Sequence, residues 1–222
     1  MRGRRVLHCL GDSHAEIFIA IAADGLLRDT DLDVTVVSGA TALGLSNPNS
    51  RTQALVIFER KLRRLPRHGT VLLSLGEVDC GFLLWYQDER GIASTDEGFE
   101  RSLANYTAFL AESLRRGFSL IVMSVPQPSI EDYATWAETT NVRREVHADL
   151  DARVAVTRRY NERLRVWCRE NGVPMLDFED DVLDEDSRLR PEYRSSDLED
   201  HHYDQTTFSH LVAAKLVELG YR

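Results

Sequence analysis

Five short runs of strand-forming residues alternate with stretches of helical periodicity, and this alternation constrains the fold more than any other feature of the chain. The runs are rich in Val, Leu and Ile, and most lack alternating polar residues, as expected for strands covered on both faces. Strands that alternate with helices predict a parallel sheet with right-handed crossovers and helices on both sides. The runs occupy residues 4–10, 33–37, 70–75, 119–125 and 173–178.

The segments between the runs carry apolar residues three and four positions apart, which is the spacing of one face of a helix. Asn171-Gly172 and Gly220 follow two of these patterns and are typical helix-ending residues. With 222 residues the chain is long for one average domain and short for two, so we expect a single domain over residues 1–222. The predicted helices cover residues 14–27, 51–65, 99–116 and 154–170, and a last helix begins near Thr206.

The composition argues against several classes of partner. A formal net charge of -9 disfavours binding to a nucleic-acid backbone or to an anionic membrane surface. No apolar run approaches the roughly 18 residues of a membrane-spanning helix, and the apolar stretch near the N-terminus is too short for a signal peptide. The cysteines, Cys9, Cys80 and Cys168, form no recognisable disulfide framework. We therefore expect a cytoplasmic protein that binds neither nucleic acid nor membrane.

The predicted strands are followed by polar or glycine-containing segments. Gly-Asp-Ser-His at 11–14 follows the first run, a segment with two glycines follows the second, and Gly-Glu-Val-Asp-Cys at 76–80 follows the third. An acidic segment with two histidines, at 200–202, precedes the last helix. Because ligands of open parallel sheets bind outside the carboxyl ends of the strands, we expect these segments to converge on one cleft.

Ser13 admits two interpretations. A serine directly before a helix commonly serves as its N-cap. A serine hydroxyl can instead attack a substrate if an imidazole removes its proton and a carboxylate holds that imidazole in the required tautomer. Backbone N–H groups at the start of the helix would then face the developing oxyanion. The histidines near residue 202 favour the nucleophile.

The order of these segments resembles that of the SGNH (GDSL) hydrolase superfamily. The resemblance rests on Gly11-Asp12-Ser13, on a glycine after the second strand, on Gly-Glu-Val-Asp at 76–79 and on the acid and histidine at 200–202. It implies a flavodoxin-like, three-layer α/β/α sandwich with a central, mostly parallel five-stranded sheet. It also implies a serine nucleophile, a C-terminal Asp/His pair, an oxyanion hole, ester or acyl substrates and no cofactor.

The resemblance implies catalytic roles for one residue near the N-terminus and for two near the C-terminus. We predict Ser13 as the nucleophile, His202 as the base and Asp200 as its orienting carboxylate. The family usually places its acid three residues before the histidine, and Glu199 stands at that position, so Glu199 is the alternative acid. His201 is the less favoured alternative base.

The predicted oxyanion hole departs from the family pattern. Its donors would be the backbone N–H groups of Ser13 and Gly39, with Gly44 as the alternative glycine. The family usually has an asparagine where this chain has Val78, which cannot donate a hydrogen bond. Losing one such donor costs roughly 2.7–4 kcal/mol of transition-state stabilisation. Asn47 is a candidate replacement.

Further residues near these segments are candidates for substrate binding. We assign Asp12, Gly44, Glu77 and Asp79 to that role, while Glu77 and Asp79 could equally pair with a structural cation such as Arg51. Cys80 has no dedicated base and is better explained as a small buried residue. The insertion at 126–152 is a candidate lid or substrate wall, or an extra surface helix, and it contains several aromatic and basic residues. These are Tyr133, Trp136, Arg143, Arg144 and His147.

These residues together predict a serine ester hydrolase, an acylesterase or deacetylase. Its partner would be a small polar acyl ester, such as an ester of a carbohydrate or natural product, attacked through an acyl-serine intermediate. The alternatives are an acyltransferase with the same Ser/His chemistry, or a binding module whose chemistry faded with the asparagine. A metal site at residues 200–210 is a further alternative, but this segment lacks a recognised ligand spacing, so no metal is expected. Its candidate ligands would be Asp200, His201, His202, Asp204 and His210.

Overall fold

The sheet has the predicted parallel architecture. The computed structural model describes residues 4–130, 146–197 and 200–222. Within them, five parallel strands form one sheet in the order β2-β1-β3-β4-β5. The expected α/β/α class with a parallel five-stranded sheet is therefore confirmed. The strands are β1 (Arg5–Gly11), β2 (Thr30–Val36), β3 (Thr70–Ser74), β4 (Ser119–Met123) and β5 (Met175–Leu176).

The helices follow the strands as expected, but several of them differ from the prediction in their bounds or were not predicted. The first helix begins later than predicted, because residues 13–16 form a 3-10 turn before it. The sequence analysis also missed a π-helical turn at Asp79–Leu83 and the helix that continues from it. The helices are α1 (Ile17–Ala23), α2 (Ala54–Leu62), α3 (Leu84–Glu89), α4 (Thr95–Arg115), α5 (Leu150–Glu170), α6 (Glu179–Val182) and α7 (Gln205–Glu218).

Each face of the sheet is covered by its own hydrophobic cluster. On one face α2, α4 and α5 bury side chains such as Phe58, Tyr106 and Leu164 against the strands. On the other face α1 and α7 bury Phe18 and Leu216, among others. The two ends of the chain therefore meet on the second face, which brings residues near 13 and 202 to the same edge.

Two glycines allow the strand ends to pack closely at this edge. A Cβ atom on Gly11 would lie 2.5 Å from the backbone oxygen of Ser74, the last residue of β3. Gly76 has a φ of +123°, and a Cβ there would lie 2.7 Å from Val125 Cγ2. Side chains at these positions would push β1, β3 and the segment after β4 apart, which would separate the loops around Ser13.

Most of the aromatic and basic residues of the candidate lid, Tyr133, Trp136, Arg143 and Arg144, lie outside the described residues. His147 is described, is exposed, and donates its backbone N–H to Glu89 Oε1 at 2.7 Å. Within residues 4–130, 146–197 and 200–222, none of the helices combines the length and the apolar character of a membrane span.

Candidate active site

Asp12, and not Ser13, caps the first helical turn. The Asp12 carboxylate accepts the backbone N–H of His14 at 2.9 Å, and its side chain is buried. Since the neighbouring acid supplies the cap, the Ser13 hydroxyl is available for other contacts at the carboxyl end of β1. This arrangement disfavours the N-cap interpretation of Ser13.

Ser13 contacts the histidine that the sequence assigned as the base. Ser13 Oγ lies 2.9 Å from His202 Nε2, although the two residues are 189 positions apart. On the other side of the ring, His202 Nδ1 lies 2.6 Å from Asp200 Oδ1. The three side chains thus form one hydrogen-bonded chain in the order that acyl transfer by a serine requires. Glu199 lies outside the described residues.

Asp200 is suited to remain ionised beside the imidazole. Partial burial opposes its ionisation, but the backbone N–H and the ring of His202 both donate to the carboxylate, and these contacts lower the pKa of Asp200. An ionised Asp200 holds the Nδ1 proton on His202, which leaves Nε2 as the acceptor for the Ser13 hydroxyl.

Neighbouring residues fix the segment that carries His202. The Tyr203 ring is buried and packs edge-on against Phe208 of α7, with ring centroids 4.8 Å apart. Its hydroxyl accepts the backbone N–H of Gln127 at 2.7 Å, after β4. Asp204 then caps α7 by accepting the Thr207 N–H at 2.8 Å. These contacts hold the segment that carries the His202 imidazole between α7 and the end of β4.

The two predicted oxyanion donors are the backbone N–H groups of Ser13 and Gly39. Ser13 and Gly39 line the same cleft, and Gly39 has a φ of +71°, which favours glycine. Among the described residues, neither backbone N–H donates to another protein group. Gly44 differs, because its N–H donates to Thr41 Oγ1 at 2.9 Å. Gly44 is therefore corrected from a candidate donor and substrate-binding residue to part of a turn.

The cleft in front of Ser13 has a volume of about 850 Å³. One wall is polar and comes from residues 38–52, including Arg51. A second part of the lining is largely apolar and comes from the π-helical turn and α3. The histidines lie at the end next to Ser13. The lining residues are Ser13, Glu16, Ser38, Gly39, Thr41, Ser50, Arg51, Thr52, Val78, Phe82, Leu83, Tyr86, His201 and His202.

The position of Asp79 corrects its predicted role in substrate binding. Asp79 is completely buried, and its carboxylate accepts the N–H groups of Ala42 and Leu43 and the Ser102 hydroxyl, at 2.7, 2.9 and 2.8 Å. Burial raises the pKa of Asp79 to about 6, although these three donors oppose the shift. Asp79 thus joins the loop after β2 to α4 and does not contact the cleft.

Asp12 and Glu77 are buried and are not among the residues that line the cleft, so their predicted role in substrate binding is corrected too. Their exposed fractions are 1% and 4%. His14 Nδ1 lies 3.4 Å from Asp12 Oδ1 and 3.9 Å from Glu77 Oε2. The two acids therefore form a buried group with His14. They are not paired with Arg51, whose side chain is exposed.

The structure also locates the candidates for the missing side-chain donor. Val78 lines the cleft. Asn47 is exposed, and its Oδ1 accepts the Asn49 N–H at 3.0 Å within its own turn. Cys80 is completely buried, and burial raises the pKa of its thiol, so it remains protonated and inert.

Sequence reasoning missed two contributions to the site. The apolar wall, with Phe82 and Tyr86, belongs to helical residues after Cys80 that carry several large apolar side chains in close succession. This run of large apolar residues was the feature of the sequence that could have predicted the apolar part of the cleft.

The second missed contribution is His14, whose ring centroid lies 4.7 Å from that of His202. Nothing in the sequence near residue 14 indicates that contact.

Comparison with solved structures identifies the fold. No family model matches the sequence, and no curated protein matches it at a significant level. A GDSL-like lipase from Bacteroides thetaiotaomicron is 17% identical, with a TM-score of 0.64 over 97% of this chain and 88% of the lipase. An acetyl xylan esterase is 15% identical, with a TM-score of 0.59 over 96% of this chain and 98% of the esterase. At such identities the similarity concerns the fold, and the chain has the fold of the SGNH (GDSL) hydrolases.

Proposed function

We propose that this protein is a serine ester hydrolase that acts on small polar acyl esters. The observation that carries the proposal is the hydrogen-bonded chain from Ser13 Oγ through the His202 ring to Asp200, with distances of 2.9 and 2.6 Å. Hydrolases among the structures of similar fold support the same reaction class. Because fold alone does not determine activity, the proposal depends on the three side chains.

The geometry supports a two-step reaction. Ser13 Oγ attacks the acyl carbon while His202 Nε2 accepts the hydroxyl proton, and the Ser13 and Gly39 N–H groups stabilise the oxyanion. The tetrahedral intermediate then expels the alcohol, which takes the proton from His202. In the second step His202 removes a proton from water, and the resulting attack releases the acid and restores Ser13. An acceptor hydroxyl in place of water would give acyl transfer through the same intermediate.

The walls of the cleft support an ester with one hydroxyl-rich part and one apolar part. Thr41, Ser50 and Thr52 supply hydroxyl groups along one side, where a sugar or similar alcohol would find hydrogen-bonding partners. Phe82 and Tyr86 add aromatic surface to the lining, suited to an apolar group or to the face of a sugar ring. Acetyl and other short acyl esters of carbohydrates combine these features.

A fluorophosphonate probe tests the nucleophile directly. Intact-mass measurement should show one adduct on the wild-type chain and none on Ser13→Ala. With aryl acetates, Ser13→Ala and His202→Ala should each lower kcat by at least about 10³-fold. Ser196→Ala, which alters an exposed serine away from the cleft, should label like the wild type.

Two outcomes would contradict the proposal. Labelling that persists in folded Ser13→Ala would place the nucleophile elsewhere. Absence of labelling and of ester hydrolysis in folded wild-type protein would instead favour a binding module on this fold.

A further inference from the structure

Three imidazoles converge at the Ser13 end of the cleft, although an acyl-transfer reaction needs one. The ring centroids of His201 and His202 are 4.0 Å apart, and that of His14 lies 4.7 Å from His202 and 5.4 Å from His201. One nitrogen of each ring lies within 4.8 Å of one nitrogen of each other ring. His14 is buried, whereas His201 and His202 are half-buried.

These distances are close to those of a transition-metal site. Zinc binds imidazole nitrogens at about 2.0–2.1 Å in a tetrahedron, which separates the nitrogens by roughly 3.4 Å. The three nitrogens would need to approach by about 1.4 Å or less, which rotation of the half-buried His201 and His202 rings can supply. A water molecule or Ser13 Oγ would provide the fourth ligand.

The carboxylates behind the rings match the usual surroundings of a histidine ligand. Metal-binding histidines commonly direct their other ring nitrogen to a carboxylate, which fixes the tautomer and raises ligand basicity. His202 Nδ1 faces Asp200 at 2.6 Å, and His14 Nδ1 lies 3.4 Å from Asp12 and 3.9 Å from Glu77. Two of the three imidazoles therefore already have a carboxylate partner.

We propose that His14, His201 and His202 form an inhibitory binding site for a divalent transition-metal ion such as Zn²⁺. The Nε2 lone pair of His202, which accepts the Ser13 proton in the reaction, would be donated to the ion. Ser13 would then lose its base, so the ion blocks formation of the acyl-enzyme. The binding site itself stands on the cluster of rings, and its inhibitory effect rests on the proposed hydrolase function.

Zinc binding is measured on the chelator-stripped 222-residue chain by competition with a chromophoric chelator. The wild type should bind one Zn²⁺ per chain, and His201→Ala should bind it at least about tenfold more weakly, because a ligand is lost. His210→Ala, an exposed histidine of α7 outside the cluster, is the matched control and should bind zinc like the wild type. Equal zinc affinity in the wild type and His201→Ala would overturn the proposed site.

Inhibition is measured separately, by the rate of fluorophosphonate labelling with and without Zn²⁺. Zinc should slow labelling of the wild type and of His210→Ala. The same zinc concentration should slow labelling of His201→Ala at least about tenfold less. A chelator should restore the rate. Loss of labelling on treatment with chelator alone would contradict inhibition and indicate a metal that supports the reaction. If the wild type binds zinc but never labels, the metal site stands and the hydrolase proposal fails.

Discussion

At the scale of single residues, two neighbours in the segment Gly-Asp-Ser-His have different roles: Asp12 caps the helical turn and Ser13 contacts His202. Asp12 satisfies the backbone of the first turn, and this leaves the Ser13 hydroxyl directed to His202. The sequence predicted the partners of Ser13 because the resemblance supplied their order along the chain. It did not predict that Asp12 would be buried, because burial depends on how β1 and β3 pack at Gly11.

Val78 offers a test of the oxyanion hole. Val78→Asn introduces a donor at a cleft position that lacks one, and we expect kcat for aryl esters to rise by up to about 10²-fold, less than the roughly 10²–10³-fold lost on removing a preorganised donor. Val78→Ala is the matched control, since it enlarges the cleft without adding a donor. If Val78→Asn is no faster than Val78→Ala, the backbone donors act alone.

The choice between Asp200 and Glu199 is also testable. Asp200→Asn retains the shape of the side chain but favours the wrong tautomer of His202, so kcat should fall by about 10²–10⁴-fold. Glu199→Gln should stay within a few-fold of the wild type in the same assay. The reverse pattern would assign the orienting role to Glu199.

At the scale of elements, the sequence predicted the strands better than it predicted the loops. Val- and Leu-rich runs specify buried strands wherever they lie, and all five were found within a few residues of their predicted bounds. The π-helical turn after β3 depends on a tertiary contact that no local pattern encodes. There Asp79 accepts hydrogen bonds from the loop after β2 and from Ser102 of α4. This contact is why Asp79 was wrongly assigned to the substrate.

The buried Asp79 makes stability depend on pH. A carboxyl group with a pKa of about 6 in the folded state and 3.8 otherwise contributes stability that is complete below pH 3.8 and is lost as the pH rises through 6. A shift of this size corresponds to about 3 kcal/mol in the free energy of unfolding. The asparagine of the Asp79→Asn variant cannot ionise, so this variant does not lose this stability as the pH rises. The difference in the free energy of unfolding between the wild type and Asp79→Asn should therefore shrink by up to about 3 kcal/mol from pH 4 to pH 7.

Urea unfolding of both chains at the two pH values measures this difference. Asp88→Asn is the matched control, because hydrogen bonds from Thr95 hold the pKa of the exposed Asp88 below its usual value of 3.8. The pKa of Asp88 is at or below 3.8 in both the folded and the unfolded state, so the destabilisation caused by Asp88→Asn should be nearly the same at pH 4 and at pH 7. A pH-independent difference between Asp79→Asn and the wild type would contradict the burial argument.

At the scale of the whole molecule, the site depends on the two ends of the chain meeting on one face of the sheet. The N-terminal half of the site follows β1, and the C-terminal half precedes α7. Helices α1 and α7 pack together over that face, where Phe18, Val212 and Leu216 are buried. The alternation of strands and helices predicted a sheet with helices on both faces. It did not predict that α1 and α7 pack on the same face, because that depends on the order of the strands in the sheet.

Leu216 in α7 therefore tests how far the chain end supports the whole fold. Leu216 is fully buried, so Leu216→Ala should lower the free energy of unfolding by about 2–5 kcal/mol through lost burial and the cavity left behind. The neighbouring Val217 is 46% exposed, and Val217→Ala should change stability by less than about 0.5 kcal/mol. Both variants should keep the wild-type rate of fluorophosphonate labelling at temperatures where they remain folded, because neither residue lines the cleft. Equal stability losses in the two variants, measured by urea unfolding at neutral pH, would show that α7 is not the cover of this face, and the placement of His202 against Ser13 would then lack its support.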